Sequence, residues 1–281
     1  MPRGLIAVWG AEAKQFLDGM ITNDMKTLED QAQMLAAFPN AQGRLIAVVR
    51  VLRQGDRYLF ETEAATREVL YNSLFRFTFA GDFFVEDLSD AHTYYEVFGP
   101  MPEPPEGAYV FDSPVGRSCF VTADQAESFE AGLTAAGAVA IDEETYETLR
   151  IESGIPKYGV DMDETTIVPE LGLDGLISYN KGCYVGQEII ARIHFRGHVA
   201  KQLTGLVVEP AESLGGETPI APGTELTTPD GKNAGRLTSV TFSPKLNETI
   251  ALAFIRYAYL EPGADLMAGN LRARVVDIPF S

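Results

Sequence analysis

Beyond about residue 200 the chain stops reading as helix. Residues 203–208, 225–227, 235–242, 250–254 and 271–276 are short apolar runs parted by Gly and Pro. Short strands with alternating faces and tight connections are what a small all-β barrel requires. This change of pattern sets one domain boundary near residue 200. A chain of 281 residues exceeds what one small core holds, so two or three domains are expected.

The first hundred residues alternate between α and β. Residues 5–8 predict a strand and 11–18 a short helix stopped by Gly19. Residues 34–38 and 45–52 read as strands, and the apolar run 45–49 predicts a strand covered on both faces. Gln54-Gly55-Asp56 is a hairpin turn, residues 64–75 a helix, and 83–86 and 94–98 return to strand. This order suits ferredoxin-like α+β layers. Four prolines and two glycines between Gly99 and Gly107 exclude a helix or central strand and mark a linker. Two short strands around Tyr109 and 119–121 follow, then a helix over 123–136. A second helix starts at Asp142, a cap candidate with Glu143 and Glu144 in its first turn, and ends at Gly154 before Pro156. The expected domains are 1–98, 108–200 and 201–281.

Composition excludes several functions. With 46% apolar and 22% charged residues, the chain reads as an ordinary soluble protein. Two cysteines, Cys119 and Cys183, do not make a disulfide framework, so a reducing compartment, the cytoplasm, is expected. No signal peptide, transit segment or membrane-spanning run is evident. A net charge of −18 argues against a broad nucleic-acid surface, because phosphate neutralisation needs a basic one.

Against that acidity, residues 181–201 carry Lys181, Arg192, Arg196 and Lys201 with one acid, Glu188, and two of the three histidines, His194 and His198. A basic island in an acidic chain suggests an anionic ligand. The island opens with Asn180-Lys181-Gly182-Cys183-Tyr184-Val185-Gly186-Gln187-Glu188, where two glycines bracket a cysteine just ahead of a helix-forming run. Near a helix N-terminus a thiolate is favoured; the alternative is a tight turn around an inert, buried thiol. Glu152 reads either as a solvated helix end or as a carboxylate that accepts parallel hydrogen bonds from an NH-rich heterocycle. A metal site from Cys183, His194 and His198 would need a helix running through Gly197 and a fourth ligand that is not evident, so none is expected. Trp9, Phe75, Phe77, Phe79, Phe83 and Phe84 read as core, Cys119 as buried and inert, and His92 as a surface or strand-end residue.

Four blocks together resemble the YgfZ-type folate-binding proteins, relatives of the glycine-cleavage aminomethyltransferase (T-protein). They are residues 10–24 (Gly-Ala-Glu-Ala-Lys-Gln-Phe-Leu-Asp-Gly-Met-Ile-Thr-Asn-Asp), Gln42-Gly43-Arg44, Arg150-Ile151-Glu152-Ser153-Gly154-Ile155-Pro156, and Lys181-Gly182-Cys183-Tyr184-Val185-Gly186-Gln187-Glu188. The last block separates this branch from its enzyme relatives. The resemblance implies an aminomethyltransferase-like cloverleaf, with α+β folate-binding layers followed by the barrel. It implies tetrahydrofolate, or a one-carbon derivative, as cofactor, with Glu152 at the pterin. Lys181 and Arg192 would meet the glutamate carboxylates of folate, and Tyr184 would join them in the folate site. Cys183 takes the place of the signature cysteine. Iron–sulfur client proteins are the implied partners, in cluster assembly or repair, with aminomethyl transfer as the alternative. The enzyme relatives carry an aspartate at folate's reactive nitrogen; that position aligns with Val69, next to Glu68, which argues against aminomethyl transfer.

Overall fold

The computed structural model describes residues 3–209 and 220–280. The chain divides into two compact units, one of Met1–Ala140 with Leu173–Ala191, the other of Ile141–Gly172 with Arg192–Ser281.

In the first unit, β1 (Arg3–Trp9), α1 (Ala13–Asp18), β2 (Gln33–Pro39), β3 (Leu45–Gln54), β4 (Arg57–Glu63), α2 (Ala64–Phe75) and β5 (Phe84–Asp87) form a five-stranded sheet of order β2-β3-β4-β1-β5. All neighbours are antiparallel. Without the edge strand β2, this is the ferredoxin-like order: α2 links β4 to β5, with β1 between them. A second sheet, β6 (His92–Val97), β7 (Tyr109–Ser113) and β8 (Gly116–Thr122), has the order β6-β8-β7 and is followed by α3 (Ala126–Ala135).

The period-2 alternation of strands decides which side chains meet. On one face of the large sheet, Ile6, Val8, Val49, Val51 and Phe60 pack with Leu17 of α1 and Leu70 and Leu74 of α2. On the other, Leu5, Ala7, Leu52 and Leu59 pack with Phe111 and Phe120 of the small sheet. β1 is therefore the strand covered on both faces. The run 45–49, expected in that role, instead alternates, with Ile46 and Val48 half-buried, because β3 lies one strand from the edge. Glu61 is buried on the second face, where its Oε1 accepts from Arg3 Nε at 3.0 Å and it also pairs with Arg50. Burial alone would raise the Glu61 pKa; the two guanidiniums outweigh it and hold the carboxyl below its usual range.

The aromatic cluster departs from expectation. Phe83 is core and Phe77 packs partly against it, but Phe75, Phe79 and Phe84 are exposed. Trp9 stacks on Phe84 with centroids 5.6 Å apart. Phe75 ends α2 on its outward side, Phe79 lies in the turn after it, and Phe84 opens the edge strand β5.

In the second unit, α4 (Glu143–Glu152) packs on a closed barrel of β9 (Lys201–Val208), β10 (Glu225–Thr227), β11 (Asn233–Ser243), β12 (Glu248–Arg256), β13 (Asp265–Ala268) and β14 (Leu271–Val276). The order is β10-β11-β12-β9-β14-β13, closed by β10 on β13. Leu206, Leu226, Leu237, Ala253, Ile255 and Val275 fill its interior. β13 was not evident in the sequence. Helix α5 (Gln187–Arg196) contains the boundary between the units. Among the described residues, no helix is long and apolar enough to cross a membrane.

Candidate functional site

Three of the four sequence blocks converge within the first unit. Lys181 reaches the turn after α1, where its Nζ donates to the carbonyls of Asp18 (2.6 Å), Ile21 (2.9 Å) and Asn23 (2.7 Å) and lies 3.3 Å from Asp18 Oδ1. Burial pulls its pKa below the ordinary lysine value, against Asp18, which favours the charged form. An ammonium has three donors, and these three carbonyls use them. Lys181 is thus a clamp inside the fold. This corrects the expectation that it meets a ligand carboxylate, because its side chain is wholly buried.

The same turn is held from the other direction. Thr22 Oγ1 donates to Leu176 O at 2.6 Å and Ser178 N donates to Thr22 O at 2.9 Å. Asn23 Nδ2 donates to Leu35 O and Gly175 O. Val185 N donates to Gly19 O at 3.0 Å. Gly186 has φ +80, and a Cβ there would stand 2.5 Å from Asn40 O, so the chain passes against the Gln42-Gly43-Arg44 turn as only glycine allows. Gly43 in turn faces Ile189 and Ile190 of α5.

Between these anchors Cys183 is exposed, whereas Cys119 of β8 is buried and burial pushes its thiol up to about 11. Tyr184 is buried, its ring 5.0 Å from Lys181 Nζ, and burial together with Tyr179 pushes its hydroxyl up to about 12. α5 begins at Gln187, so the Tyr184–Gly186 turn intervenes between Cys183 and the helix. Gln187 Nε2 donates back to Gly182 O at 3.3 Å.

The remaining block belongs to the second unit. Asp142 caps α4 by accepting from Thr145 N at 2.9 Å, and Gly154, with φ +67, ends it against Ile278. Arg150 is buried and donates to Glu147, Ile155 O, Asp161 Oδ2 (2.9 Å) and Ser239 Oγ (2.8 Å). Asp161 also accepts from Ser239 Oγ and Lys157 N. This network fixes the end of α4 against β11. Two residues on, Glu152 is 9% exposed and its Oε1 accepts from Ser243 Oγ, which itself accepts from Leu246 N. Among the described residues, Glu152 Oε2 has no hydrogen-bond donor. Arg192 is exposed on α5.

Ser243, Asp161, Thr22 and Asn23 were not singled out as functional from sequence. Thr22 and Asn23 carried a signal, since two polar residues directly after the apolar Met20-Ile21 must bond if the turn is buried. Ser243 carried none, being ninety-one positions from Glu152, and Asp161, though only five residues beyond its block, sits in an irregular stretch whose pattern does not show that it is buried. Glu68 and Val69 lie on the exposed side of α2 and line a surface depression of about 610 Å³ with Asn72, Phe75 and Arg76. Among the described residues, no three His, Cys, Asp or Glu are placed to share a metal ion. His198 instead stacks on Tyr257, and α5 ends at Arg196.

Residues 201–281 match the glycine cleavage T-protein C-terminal barrel domain. The chain is 30% identical to an iron–sulfur cluster assembly factor, the IBA57 homolog of Mycosarcoma maydis, named as mitochondrial; the match covers 73% of the chain and 55% of that protein, so the chain spans about half its length. It is 28% identical to an aminomethyltransferase of Rubrobacter xylanophilus, over 99% of the chain and 80% of that protein. It is 27% identical to the tRNA-modifying protein YgfZ of Escherichia coli O157:H7, over 69% and 66%. The structure of aminomethyltransferase T from Bartonella henselae superposes with a TM-score of 0.85 at 17% identity, covering 99% of the chain and 84% of that protein, a likeness of fold. With the four blocks and the barrel, these relatives support a YgfZ-type family, related to the glycine-cleavage T-protein, as the one this chain resembles along its length.

Proposed function

We propose that the protein is a tetrahydrofolate-binding accessory factor in the assembly or repair of iron–sulfur enzymes, and that it offers Cys183 to its client. One observation carries the reading: two separate sequence blocks are spent on holding a third as a loop, and that loop leaves its cysteine exposed. A thiol that only packed would be buried, as Cys119 is. The IBA57 and YgfZ relatives support the assignment.

The residues present fit a folate. A pterin offers neighbouring N–H donors, and Glu152, held by Ser243 through one oxygen, keeps the other for such a donor. Arg192, exposed and basic, suits the glutamate carboxylates. Tetrahydrofolate supplies a reduced nitrogen able to carry one carbon. Glu152 orients the ligand, Ser243 orients Glu152, and Lys181 with Tyr184 keeps the cysteine loop in place.

The Cys183→Ser variant tests the client-facing role. Folate affinity should change by less than about twofold, while support of iron–sulfur enzyme activity in cells is lost; full support by the serine variant ends the idea. Aminomethyl transfer is the second reading, favoured by the aminomethyltransferase relative that spans nearly the whole chain. It requires turnover with a methylene- or aminomethyl-folate donor, and absence of turnover disposes of it.

A further inference from the structure

The basic island is only partly used by the folate reading. Lys181 is buried, so the island's outward charge lies at its far end, from Arg192 to Lys201, a stretch without a single acid in a chain of net charge −18. There the second unit assembles cations and rings side by side. Lys201 of β9 stands directly opposite Arg256 of β12. Like charges facing across a strand pair are unfavourable unless something compensates them. Lys201 Nζ lies 4.3 Å from the Phe254 ring centre, and it adds a smaller share to the lowering of the Asp163 carboxyl that hydrogen bonds from Thr165 chiefly cause. Arg256 donates to Asn233 Oδ1 at 2.9 Å, a neutral partner. Next to this pair, His198 stacks on exposed Tyr257 with centroids 3.8 Å apart and planes 7° from parallel. Tyr257 N donates to Ala200 O, tying the two segments together. Arg196 is exposed at the end of α5 beside Phe195, which is 66% exposed. Among the described residues, neither Arg196 nor Arg256 forms an ion pair with a carboxylate.

We propose that Arg196, His198, Lys201, Arg256 and Tyr257 form a docking surface for an acidic, aromatic-bearing segment of a partner protein. Charge complementarity selects an anionic occupant. The exposed rings select one that also brings apolar or aromatic side chains, with guanidinium and ring stacking between them. A peptide is favoured over RNA. A few carboxylates sit within a Debye length, about 10 Å, of the patch. A nucleic acid must run many phosphates past the rest of an acidic molecule, without the extended basic surface that releases counterions. The proposal does not depend on folate or on Cys183.

The test is fluorescence anisotropy with the full-length protein and a labelled glutamate-rich peptide carrying two phenylalanines, at low salt. The peptide should bind saturably, weaken at least tenfold at about 0.5 M salt, and weaken at least tenfold in the double variant Arg196→Glu, Arg256→Glu. Lys245→Glu, the charge change of one of these substitutions placed elsewhere on the unit's exposed surface, should bind as the parent does, while Arg196→Glu alone should already weaken binding. Circular dichroism melts of each variant confirm that the fold is kept, and Tyr257→Ala, which changes no charge, should weaken binding on its own. No binding by the parent, equal losses in Lys245→Glu and the double variant, or tighter binding of a uridine-rich single-stranded RNA than of the peptide would each overturn the proposal.

Discussion

The two cysteines occupy opposite environments on one chain. Cys119 sits in the apolar cluster with Val121, Phe129 and Leu133, where burial disfavours the thiolate. Cys183 lies exposed on a loop between the buried Lys181 and Tyr184. A thiol-labelling assay at about pH 8 should therefore modify Cys183 alone in the folded protein and both cysteines after unfolding; labelling of Cys119 at a comparable native rate would contradict the packing. Lys181 is the counterpart buried cation. Lys181→Met should cost about 2–4 kcal/mol in urea unfolding, because three inward carbonyls and Asp18 lose a charged donor. A loss below about 0.5 kcal/mol would mean that the clamp contributes little. Glu61 makes the pH case. Its pKa is lowered in the folded state, so its contribution is present above the unfolded value, about 4.3, and fades as pH falls through the lower folded value. Glu61→Gln should destabilise by about 3–5 kcal/mol near neutrality, leaving Arg3 and Arg50 without their anion. That deficit should shrink in acid; a pH-independent deficit would assign it to packing instead.

At the scale of elements, the sequence was most legible where local physics decides. The 64–75 helix has the bounds its spacing implies, the Asp142 cap and the Gly154 stop are in place, and five of the six barrel strands were readable as apolar runs. β13 escaped because its stretch, Asp265–Ala268, has only two fully buried side chains and follows Gly263. The exposed Phe75, Phe79 and Phe84 were misjudged for a different reason: hydrophobicity gives a tendency to be buried, but an edge strand and a helix end offer little cover, so that Phe84 stays 53% exposed even stacked on Trp9. The candidate site was legible as blocks, but its wiring was not. That Lys181 points inward and Cys183 outward depends on contacts with residues 18–23, more than a hundred and fifty positions away. The loop's glycines now divide by role. Gly186→Ala should destabilise by more than about 2 kcal/mol, since it meets both an unfavourable φ and the Asn40 carbonyl. Gly182→Ala, with nothing near its added methyl, should cost less than about 1 kcal/mol. Comparable melting temperatures for the two variants would contradict this division.

For the molecule as a whole, the T-protein likeness of fold extends across the chain, while the residues on which the proposed function rests divide between its units, Cys183 in one and Glu152 and Arg192 in the other. The fold is shared with aminomethyltransferases, so fold alone does not select the chemistry; the residues do. The account's central claim is that this scaffold binds folate through Glu152. Calorimetric titration of the full-length protein with tetrahydrofolate, beside Glu152→Gln, tests it most directly. The prediction is saturable one-to-one binding by the parent and affinity at least tenfold weaker, about 1.4 kcal/mol, in a variant that melts like the parent. No binding by the parent, or equal binding by the two proteins, would contradict it.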